Sequence, residues 1–108
     1  MESQLIAQLR RRIGPHPAVS VGIGDDGAVL EMAGTSRCVV TTDMLMDHVD
    51  FELSQVDLRQ VGHKALAVNL SDLAAMAARP LAGVISLALP RTGGMEIALA
   101  LYDGLLPL

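Results

Sequence analysis

Three short segments of the sequence collect residue types suited to handling phosphate through a divalent cation: Gly24-Asp25-Asp26, Thr41-Thr42-Asp43 and Asn69-Leu70-Ser71-Asp72. Paired carboxylates repel a bare phosphate. They bind it well through magnesium, a hard cation that prefers oxygen ligands and is commonly shared between carboxylates and substrate phosphates. In the second segment an apolar stretch, Val39-Val40, runs into two hydroxyls and a carboxylate. Alternation puts Thr41 and Asp43 on one face and Thr42 on the other, and a bend at the strand end brings all three within reach of one cation. Asp72 falls on the helical stripe of Leu58, Val61, Ala65, Val68 and Met76, which predicts a carboxylate on a buried face. There it has to be paired, protonated, metal-bound or lining a cleft, because an unpaired ion in apolar surroundings costs several kcal/mol. Asn69, one turn earlier, is placed to orient it or to share its ligand.

Other arrangements compete for the same residues. Gly22-Ile23-Gly24-Asp25-Asp26-Gly27 matches the dinucleotide-binding pattern G-x-G-x-x-G, but that motif needs a helix directly after the glycines. Here Gly34-Thr35-Ser36 interrupts the chain soon after Ala28. The same residues also suit a plain tight turn. His16, His48 and His63 are scattered and lack zinc-ligand spacing, and no Ser-centred elbow or Cys/His signature supports a nucleophile. His63 and Lys64 are expected on a solvated helix face.

The elements that must position these groups follow from periodicity. A short amphipathic helix spans Leu5 to Arg12 and ends at Gly14-Pro15-His16-Pro17, where proline breaks the pattern. Val19 to Ile23, Ala28 to Met32 and Cys38 to Met44 are three predicted strands, the second closed by a turn at Ala33-Gly34-Thr35-Ser36. A helix is predicted from Ser54, as cap, to Arg79-Pro80. Leu81 to Leu89 is a further strand, Pro90 to Gly94 a turn and Met95 to Leu106 a last helix. The fold class is α/β (α+β).

At 108 residues the chain suits one domain, spanning 1–108. Phe51 and Tyr102 are its only aromatics, so the core must be aliphatic. A net charge of -4 argues against a broad grip on nucleic acid or anionic lipid. Arg10, Arg11 and Arg12 cluster where cations suit a helix C-terminus, and are expected to be solvated. A lone cysteine, Cys38, with no signal peptide or membrane span implies a reducing compartment, the cytoplasm by default. The apolar end Leu105-Leu106-Pro107-Leu108 predicts a chain that packs against a partner or continues.

Taken in order, Val21-Gly22-Ile23-Gly24-Asp25-Asp26-Gly27-Ala28-Val29-Leu30, Thr41-Thr42-Asp43-Met44-Leu45, and Lys64-Ala65-Leu66-Ala67-Val68-Asn69-Leu70-Ser71-Asp72-Leu73-Ala74-Ala75-Met76 resemble the N-terminal part of thiamine-monophosphate kinases. These kinases belong to the aminoimidazole ribonucleotide synthetase-like superfamily, which also holds the selenophosphate synthetases. The resemblance implies a mixed or antiparallel sheet packed with helices, with strands pairing across a homodimer. It implies ATP as phosphoryl donor, thiamine monophosphate as acceptor, and Mg2+ held by Asp26, Thr41, Thr42, Asp43 and Asp72, with Asp25 and Asn69 in support. Where the family shows Gly-x-His-Phe, this chain has His48-Val49-Asp50-Phe51, which puts Asp50 at the substrate-contacting position. The family's Gly-Gly-Asp motif and C-terminal domain would lie beyond Leu108, so the chain is expected to be the magnesium-nucleotide part of a longer kinase. A metal-binding dimerisation module without turnover is the non-enzymatic alternative.

Overall fold

The computed structural model describes residues 2–32, 34, 37–47 and 50–108. Ala33, Thr35 and Ser36 of the expected closing turn, together with His48 and Val49, lie outside the described residues. The arrangement is α+β, in the order α1 (Glu2–Ile13), β1 (Val19–Val21), β2 (Val29–Leu30), α2 (Leu58–Ala75) and α3 (Gly94–Leu105). Two compact units divide the chain: Met1–Cys38 with Leu81–Ala88, and Val39–Pro80 with Leu89–Leu108. Among the described residues no helix is long and apolar enough to cross a membrane.

In the first unit, α1 buries Leu5 and Leu9, one turn apart, and sets Glu2 in its first turn and Arg10, Arg11 and Arg12 in its last. Those charges complement the helix dipole. Gly14, at φ +69°, ends the helix by donating its N–H to the Arg10 carbonyl at 3.3 Å. The chain then forms an antiparallel hairpin, Val19 opposite Leu30 and Val21 opposite Val29, so one extra residue bulges from β1. Glu31 N–H to the Ala18 carbonyl at 2.7 Å and a short Ser20 Oγ to Glu31 Oε1 bond extend the pairing. The first two expected strands are therefore present, in shortened form.

In the second unit, the Asp57 side chain caps α2 by accepting the Arg59 N–H at 3.0 Å. Ser54, the expected cap, stands three residues too early, because Asp57 directly precedes the first helical residue and its oxygen reaches the amide two residues on. The Arg59 backbone amide, and then the Arg59 side chain, hold the Asp57 carboxyl below its ordinary 3.8. The helix also stops before Arg79-Pro80. Ala77 takes a left-handed φ of +55°, with Ala78 N–H to the Leu73 carbonyl at 2.9 Å and Ala77 N–H to the Ala74 carbonyl at 3.0 Å. Together these make the paired-bond helix end that glycine usually supplies.

α3 buries Ala98 and Tyr102, one turn apart, and burial raises the Tyr102 phenol above its ordinary value. It crosses α2 at two glycines: a Cβ on Gly62 would overlap the Leu101 carbonyl, and one on Gly104 would overlap the Arg59 carbonyl. Backbone therefore meets backbone at the crossing.

The strands expected at Cys38 to Met44 and Leu81 to Leu89 are not formed; neither segment has ladder pairing among the described residues. Val40 is 84% exposed and Val84 92%. β-Branched residues suit a pleated, half-buried surface, but a ladder exists only where a neighbouring strand supplies its hydrogen bonds.

Two substitutions should act with opposite sign. Gly62→Ala would gain about 1 kcal/mol in an open helix but overpacks this crossing, so a net loss of about 2 kcal/mol is expected in urea unfolding. Ala77→Gly relieves a left-handed residue and should add about 1 kcal/mol in the same measurement.

Candidate functional site

The first acidic motif forms the loop of the β1–β2 hairpin. Gly24 turns the chain at φ +110°, Asp25 Oδ1 accepts the Asp26 N–H at 2.8 Å, and Asp26 is exposed. The glycines lead into β2 and not into a helix, so the dinucleotide-binding arrangement is not present. Gly24 is exposed, yet the Arg10 side chain lies against it: a Cβ there would lie 3.0 Å from Arg10 Cδ and 3.3 Å from Arg10 Nη1. Arg10, expected with Arg11 and Arg12 at a solvated helix end, makes an approach that no periodicity signals. Its only signal was the glycine itself.

The remaining motifs belong to the second unit. Thr41 is half-buried, while Thr42 and Asp43 are exposed, and Asp43 Oδ1 accepts the Met44 N–H at 2.9 Å. These residues do not end a paired strand. Downstream, Asp50 Oδ2 accepts the Met46 N–H at 2.8 Å while the Asp50 N–H donates to the Met46 carbonyl at 2.9 Å. Asp47 Oδ1 accepts the Leu53 N–H at 2.8 Å. Asp50 is thus a loop clasp with one carboxylate oxygen in use, and Asp47, not singled out from sequence, shares that work.

On α2, Asn69 donates from Nδ2 to the Ala65 carbonyl at 2.8 Å. That bond fixes the amide, and Oδ1 is buried with no hydrogen-bond partner among the described residues. Asn69 ties back along its own helix and is not seen bonded to Asp72. Asp72 itself is exposed, which corrects the expectation of a buried carboxylate. The stripe holds at Val61, which is buried, and fades to Met76, which is 66% exposed. The reason is the length of cover: α3 crosses α2 at Gly62, and Asp72 lies about 15 Å further along the axis at 1.5 Å per residue. His63 and Lys64 are exposed, as expected.

Among the described residues no three His, Cys, Asp or Glu side chains gather to hold a metal ion. The donors are nevertheless of the right kind for magnesium, all hydroxyl or carboxylate oxygens. That ion keeps several waters and usually takes only one or two carboxylates alongside substrate phosphates, not an all-protein cage. Asp26, Asp43 and Asp72 fit that use as exposed single carboxylates.

A hairpin with an acidic glycine loop, followed by a helix carrying Asn69 and Asp72, matches the family model described as AIR synthase related protein, N-terminal domain, over residues 24–106, and the chain belongs to that family. Within the family it is similar to proteins named thiamine-monophosphate kinase. The one from Rhodopirellula baltica is 43% identical over 98% of this chain and 36% of the relative. Those from Bacillus subtilis and Mycobacterium tuberculosis are 36% and 38% identical, each over 96% of this chain and 32% and 31% of the relative. The chain spans about a third of the length of these curated relatives. No solved structure matches it significantly.

The Asp50 clasp makes a local prediction. Asp50→Ala should speed amide exchange at Met46 roughly tenfold, the equivalent of a net charged hydrogen bond of about 1.5 kcal/mol. Asp50→Asn, which keeps an acceptor oxygen, should fall between the two in hydrogen-exchange NMR.

Proposed function

We propose that the protein carrying this chain transfers the γ-phosphoryl group of ATP to the phosphate of thiamine monophosphate, giving thiamine diphosphate and ADP. The observation that carries this reading is the order of the three acidic motifs, in a chain similar over 96–98% of its length to proteins named thiamine-monophosphate kinase. In this reading Asp26, Thr41, Thr42, Asp43 and Asp72 are the oxygen donors for Mg2+, with Asp25 and Asn69 supporting them. When bound, the ion would neutralise phosphate charge and orient the phosphates. The chain's own contribution is to present exposed carboxylates on a glycine turn, in the segment around Asp43 and on a helix, with no covalent protein intermediate. The reading extends to a cytoplasmic homodimer. The exposed, strand-prone Val40 and Val84 support self-association, and the lone Cys38 supports a reducing compartment.

The Asp50 clasp favours a second reading. With Asp50 bound to the Met46 amide at the place where the resemblance expects a substrate-contacting His, this reading assigns a different phosphate acceptor, as in a selenophosphate synthetase-like member of the superfamily.

The full protein should form thiamine diphosphate from ATP and thiamine monophosphate in a chromatographic assay. Asp43→Asn and Asp72→Asn should each lower turnover by at least about a hundredfold with an unchanged circular-dichroism spectrum. ADP release without thiamine diphosphate, when other phosphate acceptors are supplied, would move the assignment to the second reading.

A further inference from the structure

Arg10 stands apart from its two neighbours at the end of α1. Its side chain lies across the Gly24 backbone, with Cδ, Nη1 and Cζ at 3.0, 3.3 and 3.4 Å from where a Cβ would stand. The guanidinium is thereby held at the entrance to the Asp25-Asp26 loop. The helix builds this approach from one row: Glu2, Ile6 and Arg10 follow at intervals of four and so share a face. Glu2, Ser3, Ile6 and Gly24 line an open cavity of 580 Å³. Arg10 itself lines a second, of 330 Å³, together with Gly22 and Ile23.

The charge on Arg10 is not consumed by the protein. Arg59 has a carboxylate partner in Asp57 at 3.4 Å, whereas the Arg10 side chain makes no hydrogen bond or ion pair among the described residues. Asp25 and Asp26 belong to the same loop, yet neither pairs with it; one Asp25 oxygen is taken by the Asp26 N–H. A guanidinium presents five N–H donors in a planar fork that matches the oxygens of a phosphate. The exposed side chain lies against the glycine without using any of its donors.

We propose that Arg10 is a phosphate-binding residue of the Gly24–Gly27 loop. The guanidinium takes phosphate oxygens while the neighbouring carboxylates face the cation that accompanies them, so a metal-phosphate ligand meets both signs of charge on one turn. This inference rests on the reading of the chain as a phosphate-handling domain and is independent of which acceptor is phosphorylated.

The test is calorimetric titration of the full protein with magnesium-ATP and, separately, with magnesium and inorganic pyrophosphate. Arg10→Met keeps the aliphatic stem on Gly24 and removes the charge. It should weaken both ligands about tenfold or more, as expected for losing charged hydrogen bonds, with an unchanged melting temperature. Arg10→Lys, which restores charge without the fork, should recover part of the loss, and Arg11→Gln should bind like the wild type. Wild-type affinity in Arg10→Met would overturn the proposal. So would an equal loss in Arg11→Gln, which marks diffuse charge, or an Arg10→Lys protein as weak as Arg10→Met. Wild-type protein that binds magnesium-ATP but makes no thiamine diphosphate would overturn the substrate reading and leave the Arg10 contact standing.

Discussion

The backbone contact between α2 and α3 governs the second unit. Because Gly62 and Gly104 have no side chains, the two helices approach until each meets the other's carbonyl groups. That closeness replaces the bulky aromatic core this composition lacks: the buried side chains nearby are small or singular, Ala98 and Tyr102 on one helix and Val61 on the other. A crossing of this kind is narrow. It covers α2 near its start and leaves the far end to solvent, so the same contact that makes the unit compact also presents Asp72 and exposes Met76.

In the first unit the organising element is the bulged hairpin, closed by few ladder bonds and crossed by one long cation. Its loop carries two carboxylates that do little for stability, since only one Asp25 oxygen is engaged, with the next amide. Acidic groups left exposed on a glycine turn, beside a guanidinium with no partner among the described residues, are a poor arrangement for a loop whose only task is to reverse the chain. They suit a ligand that itself carries both charges.

The helices were legible because the 3.6-residue period is a local property. α3 ends within a residue of its expected limits, and α1 extends slightly beyond them. The errors arose where a local pattern had to stand for a partner. The stripe through Val61, Val68 and Asp72 gave the correct face of α2 but carried no measure of how far α3 would reach along it. The β-branched runs around Val40 and Val84 showed preference without a neighbour to pair with. Ser54 was the expected cap, and the backbone of Leu58 onward selects Asp57 instead. At the site, the chemical types at Asp26, Asp43 and Asp72 were plain from the sequence. The Met46–Asp50 clasp and the approach of Arg10 to Gly24 were not, since neither follows from a periodicity.

Val40 and Val84 lead to a statement about drift. Gly62 is held by the chain itself, because any side chain there collides with its own neighbour. Val40 and Val84 touch so little of the chain that its own folding gives mutation almost no reason to spare them. If descendants of this sequence keep those two positions apolar, the selection must act from outside these 108 residues, and its strength would measure the value of whatever surface comes to rest there.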